Sequence, residues 1–176
     1  VITDKFTRKE KLKAFREQFL GTHKPGKSCK ILNEDDIKFH YNLKENTLSA
    51  KSNKPIIVDN EYLGYKVYFT LLSFNVTFNQ YTLDNDKVKQ SAYYGTSQFI
   101  DLKPDDKKTI ERRDKVYKES SPYFFKNLVA DSLKVNNLLV FNRGYMVNPY
   151  DYFIIKDTLS QKLVMLDLES NIDRFM

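Results

Sequence analysis

Apolar and polar residues alternate most clearly over residues 63–79, and the alternation changes phase part-way along. Up to Leu71 the apolar positions are odd: Leu63, Tyr65, Val67, Phe69 and Leu71. From Leu72 they are even, with Phe74, Val76 and Phe78 separated by Ser73, Asn75, Thr77 and Asn79. Strand side chains alternate with period two, so a shift of one residue carries the apolar set to the other face. A β-bulge near Leu71 and Leu72 absorbs the extra residue and bends one long strand around a core. The alternative is two strands packed on different partners. Either way the stretch is rich in aromatic and β-branched residues, which fit a pleated, half-buried surface.

The flanking segments supply the other elements. Thr7-Arg8-Lys9-Glu10 has the form of a capping box, and Leu12, Phe15 and Phe19 follow at helical spacing. The pattern predicts an amphipathic helix over residues 7–20, closed by Gly21. Residues 21–30 hold Gly21, Pro25 and Gly26 and are expected to be loop. Ile37, Phe39, Tyr41 and Leu43 alternate with polar residues, and Leu48 and Ala50 do so beyond a turn at Lys44-Glu45-Asn46. This is a hairpin, with His40 on its solvent side. A short strand at residues 55–58 leads into the central stretch.

After it, residues 88–94 return antiparallel, stop at Gly95 and resume with Phe99, Ile100 and Leu102. Pro104-Asp105-Asp106 opens a helix carrying Ile110, Arg113 and Tyr117 on one side. Ser121, as cap, and Pro122, as first helical residue, begin another, with Phe124, Phe125, Leu128, Val129 and Leu133 as its buried stripe. Short strands at residues 138–141, 153–155 and 163–168 close the chain. Clustered rather than alternating strands and helices indicate an α+β fold: an N-terminal amphipathic helix packed on a bent antiparallel sheet, two further helices, then short C-terminal strands.

Composition narrows the class. A chain of 176 residues, 41% hydrophobic and 30% charged, is expected to form a single folded domain over residues 1–176. It begins at Val1, which suggests a piece excised from a longer protein. No apolar run is long enough for a transmembrane helix. The net charge of +6 comes from scattered lysines, which more often serve solubility than an acidic partner. One cysteine, Cys29, leaves no internal disulfide to form.

Candidate chemistry is sparse. His23, Cys29 and His40 are the soft or imidazole ligands available for zinc, but their spacing matches no metal signature. Asp84-Asn85-Asp86 lacks the glycine and distal glutamate of a calcium loop. Neither histidine lies in a catalytic context, so no catalytic residue, metal or cofactor is assigned. Asp105 and Asp106 are the carboxylates a hydrolase would have to use, and nothing places them across a cleft. Twelve tyrosines with a basic balance raise nucleic-acid binding, yet their strand spacing favours packing within the sheet.

The chain does resemble a known family. Phe19-Leu20-Gly21-Thr22, Cys29-Lys30-Ile31-Leu32-Asn33, Leu63-Gly64-Tyr65-Lys66-Val67 and Tyr94-Gly95 with Phe99 occur in order, followed by Arg113, Tyr117, Ser120 and Phe124. Together they resemble carboxypeptidase-like regulatory domain-containing proteins of the bacterial cell envelope, in the region that follows the regulatory β-sandwich. The resemblance spans residues 11–133. Glu119 and Tyr123 stand where the family pattern has glycine and histidine. The resemblance implies an envelope location, periplasmic or outer-membrane-associated, and a modular context without an assigned reaction. The expected function is therefore a non-catalytic binding module, its partner a protein, peptide or glycan of the envelope or other domains of the parent chain.

The expected ligand-binding surface is where Tyr94 and Gly95 meet the helix bearing Arg112, Arg113 and Tyr117. Glycine permits close backbone approach, arginine forks onto carboxylate or phosphate, and tyrosine offers a flat face with a polar tip. The plainer alternative is that Arg113 and Tyr117 fasten the helix to the sheet.

Overall fold

The structure, a computed structural model, describes residues 4–167. Its contacts divide the chain into two compact units, Val1–Arg112 and Arg113–Met176. Elements are numbered in chain order.

The first unit is a helix on a sheet. Helix α1 (Arg8–Phe19) starts at the anticipated capping box, in which the Thr7 hydroxyl accepts from the Glu10 amide and the Glu10 carboxylate accepts from the Thr7 amide at 2.7 Å. The alternate face is not left wholly to solvent. Arg8 donates to the carbonyls of Ile37 and Glu34, and Arg16 pairs with the Glu34 carboxylate, so the helix is clamped to the turn before the hairpin. Residues 21–30 differ from expectation: a four-residue helix, α2 (Lys24–Lys27), forms with Pro25 in its first turn, where a missing amide is harmless. Strand β1 (Cys29–Ile31) follows.

Strands β2 (Ile37–Asn42) and β3 (Thr47–Ser52) make the hairpin, with His40 exposed, and β4 (Ile56–Asn60) precedes the long β5 (Tyr65–Phe78). β5 is the template of the sheet. Its first half pairs antiparallel with β4, from Tyr65 opposite Asn60 to Phe69 opposite Ile56. Its second half pairs with β3, Val76 lying opposite Leu48. Its other side pairs along its whole length with β6 (Val88–Asp101).

The register slips between Leu71 and Ser73, leaving Leu72 as the extra residue. Leu71 is buried while Leu72 is exposed, so the apolar set changes parity without leaving the core face. One bulged strand, not two strands, accounts for the phase change in the sequence. The core under α1 joins Phe15 and Ala14 to Ile37, Tyr41, Leu48, Ile56, Phe74 and Val76. Phe19 sits half-buried beside them, its ring against Phe69 and Tyr93.

Helix α3 (Lys107–Lys118) carries the boundary between the units. Asp106 caps it, its carboxylate accepting from the Thr109 amide (2.9 Å) and hydroxyl (2.5 Å). Thr109 is the buried residue of this helix, whereas Ile110 and Tyr117, placed on the packed side by spacing, are more than one-third exposed.

The second unit contains α4 (Ser121–Val129), capped by Ser120 rather than Ser121: the Ser120 hydroxyl accepts from the Tyr123 amide. Leu128 and Leu133 are buried, but Phe125 of the expected stripe is exposed. The buried Asn127 is fully engaged, donating to the Tyr123 carbonyl and accepting from Ser132 and Asn136. Strands β7 (Val140–Asn142) and β8 (Tyr145–Val147) form one hairpin around Arg143 and Gly144, and β9 (Phe153–Asp157) and β10 (Lys162–Leu166) another. The expected strand end at Leu168 lies outside the described residues. Helices and antiparallel sheets are thus segregated along the chain, which is α+β.

Candidate functional site

Of the sequence-based surface, Tyr94, Gly95 and Arg112 belong to the first unit and Arg113 and Tyr117 to the second. Tyr94 and Gly95 lie on β6, next to each other and hence on opposite faces: Tyr94 is opposite Ser73 and Gly95 opposite Leu71. The strand does not stop at Gly95. A β-carbon there would lie 2.2 Å from the Thr70 carbonyl oxygen and 2.7 Å from the Phe69 ring, so glycine is what lets β6 close on β5. The close approach it permits is internal to the sheet.

Arg112 is likewise turned inward. Its guanidinium stands 5.1 Å over the Tyr62 ring, its Nε donates to the Lys108 carbonyl, and a terminal nitrogen donates to the Thr109 hydroxyl at 2.9 Å. Arg113 and Tyr117 belong to the second unit, where the Tyr117 ring meets Tyr123 edge-on at 5.3 Å. Asp105 and Asp106 form no paired site: Asp106 is spent on the α3 cap, and the Thr109 hydroxyl and amide hold its carboxyl below the usual range. Among the described residues, no three His, Cys, Asp or Glu side chains converge. Burial, with the Asp59 carboxylate nearby, pushes the Cys29 thiol up, and its Sγ lies 3.3 Å from the Pro25 carbonyl oxygen.

The feature that stands apart is β6 itself. Among the described residues it pairs with β5 alone, so its other side is a sheet edge fourteen residues long. Nearly every residue on it is exposed on whichever face it occupies. Tyr94 is 64% exposed and Phe99 62%, and Tyr93 and Ile100 are also open to solvent. The Leu102 amide donates to the Gly64 carbonyl (2.9 Å), which sets the hydrogen-bonding phase. Alternation then turns the main-chain groups of Ile100 and Gln98 toward β5 and those of Phe99 and Ser97 away from it. From Gln90 to Ile100 the strand has no charged residue and no proline. Those are the devices by which native proteins blunt an edge.

Sequence reasoning singled out Tyr94 but missed Tyr93, Phe99 and Ile100. The uncharged run was a visible signal, yet only the pairing of β5 reveals that the run lies on an edge. The second unit offers a different feature, an apolar cavity of about 590 Å³ lined in part by Leu133, Leu138, Val140, Met146 and Tyr150.

No family model matches the chain, and comparison with curated proteins and with solved structures gives no match either.

Proposed function

We propose that this chain is a non-catalytic interaction module of the bacterial cell envelope that engages a polypeptide by adding its extended strand to the edge of β6. The edge carries the reading: it is long, uncharged at its centre, free of proline and flanked by exposed aromatic side chains. The envelope setting rests on the resemblance of its motifs, and other domains of a parent chain are partners of the same chemistry. Among the described residues no helix is long and apolar enough to cross a membrane.

Magnitudes say what such binding needs. Each new main-chain hydrogen bond adds about 0.5–1.5 kcal/mol net, while ordering each residue of a flexible strand costs about 1–2 kcal/mol. Backbone pairing alone therefore does not hold a partner. Covering the exposed part of Tyr93, Tyr94, Phe99 and Ile100, 42–64% of each, at about half of the roughly 1.5–3 kcal/mol for a fully buried side chain, offsets part of that cost. The backbone groups give direction and the aromatic faces give affinity.

Proline tests this directly. At Ser97 the main-chain amide points away from β5, so Ser97→Pro removes an outer donor and leaves the internal ladder intact. Peptides selected from a displayed random library on the wild-type chain are expected to lose binding to Ser97→Pro while its melting temperature stays within a few degrees. Selected peptides that bind both proteins equally would refute the edge as the site.

A further inference from the structure

We infer that the cavity of the second unit binds a medium-length fatty acid, with the alkyl chain along its apolar walls and the carboxylate at the ammonium of Lys134. The cavity belongs to the second unit and β6 to the first, so this site does not rest on the edge-strand reading above. At about 590 Å³ it falls within the range of pockets that enclose a small organic ligand.

Hydrogen bonds hold the cavity open. One wall is the segment after α4, from Leu133 to Val140. Its path is fixed at the buried Asn127, whose Oδ1 accepts from the Ser132 hydroxyl at 2.7 Å and from Asn136 Nδ2 at 2.6 Å. The Leu138 amide closes the same segment by donating to the Leu133 carbonyl at 2.9 Å. The other wall is β8 with the turn that follows it. Tyr150 ties that turn to the end of α4, its hydroxyl lying 3.0 Å from the Leu128 carbonyl oxygen and 2.7 Å from Asp131 Oδ1. Collapse of the walls onto each other would break these bonds, so a ligand meets a site already formed.

The polar groups of the lining select the ligand. Asn148 is engaged at both ends, Oδ1 accepting from the Tyr150 amide and Nδ2 donating to Asp151. Asp131 receives the Tyr150 hydroxyl. Lys134 differs: among the described residues its ammonium has no hydrogen-bond or ion-pair partner. The unmet demand is therefore for a negatively charged acceptor. The remaining lining is largely aliphatic, and Leu139 and Met146 are more than half exposed, so an alkyl chain laid there takes wet apolar surface out of water. A chain ending in one carboxylate answers both features. A polyphosphate would find a single cation, and an amine would meet Lys134 as a like charge while Asp131 is already occupied.

The test is calorimetric titration of the full chain with decanoate, decanol and decylamine, each below its aggregation concentration. Decanoate is expected to bind about fivefold more tightly than decanol, the upper end of what an exposed ion pair supplies, and decylamine more weakly than either. From hexanoate to decanoate, affinity is expected to rise about fourfold for each methylene buried. Lys134→Met keeps the stem and drops the charge, so it should bind decanol as the wild type does and lose the preference for the acid. Leu139→Asp sets a charge on the apolar rim and should weaken decanoate at least about tenfold. Both residues are exposed, so both variants are expected to melt with the wild type. A wild type that binds no decanoate, or binding untouched by Leu139→Asp, overturns the site. Decanol or decylamine binding as tightly as decanoate, or a preference for the acid that survives in Lys134→Met, overturns the acidic ligand. Ser97→Pro should bind decanoate normally, so the cavity and the β6 edge stand or fall separately.

Discussion

Replacing Phe15 with alanine removes the ring on which α1 rests. Phe15 has no exposed surface, and its centroid lies 4.7 Å from Phe74, 5.0 Å from Phe19 and 5.5 Å from Phe39. A buried aromatic takes roughly 150–250 Å² out of water, which at about 25 cal/mol/Å² is roughly 4–6 kcal/mol for the whole side chain. Alanine keeps a small part of this, so the expected loss is about 3–5 kcal/mol, the range usual for such a truncation. With a urea slope of about 1–3 kcal/mol/M, the unfolding midpoint should fall by about 2 M. Urea unfolding followed by far-UV circular dichroism reads this directly. The neighbouring bulge supplies the control: Leu71→Ala should cost about 2–5 kcal/mol and the exposed Leu72→Ala no more than about 0.5 kcal/mol. A loss below about 1 kcal/mol for Phe15→Ala, or equal losses at Leu71 and Leu72, would show that the helix face or the phase of β5 is wrongly placed.

Gly95→Ala drives a methyl into the Thr70 carbonyl oxygen and the Phe69 ring, and β6 must shift to admit it. The expected destabilisation is about 1–3 kcal/mol in the same urea assay, and an unchanged midpoint would mean that the two strands are not so close there. Asp106 makes stability depend on acid. Its folded-state carboxyl is held low by the Thr109 hydroxyl and amide, so its contribution is complete above the unfolded value near about 4 and fades as pH falls through the lower folded value. The stability gap between wild type and Asp106→Asn should therefore narrow below about pH 4. A gap constant from pH 7 to pH 2 would remove the carboxylate from the cap.

The elements carried by local pattern were readable in advance. The capping box marked the start of α1, and the change of parity at Leu71 and Leu72 marked the bulge, since period-two alternation leaves no other trace of an extra residue. What escaped reading depends on partners distant in sequence. Gly95 looked like a strand break because glycine so often is one; that it lies mid-strand follows from the Phe69 ring and Thr70 carbonyl it must clear. The adjacent serines Ser120 and Ser121 offer the same capping chemistry, and only the orientation of the helix decides between them. The candidate surface was the least legible part. Arg112 carries the marks of an anion site, but a nearby ring and its own helix occupy it. The apolar residues of β6 look like half a core until β4 and β3 are seen to fill the other side of β5.

The pairing of β6 with β5 also has a mechanical consequence. The two strands are joined through residues 79–87 at one end, and Tyr65 opposite Asp101 forms the open end. A pull on the chain just beyond Asp101, directed away from β5, loads the cross-strand bonds one pair at a time rather than all at once. β6 would peel like a zipper from its last residue, parting the Phe99 ring from Tyr65 before it reaches Gly95 beneath Phe69.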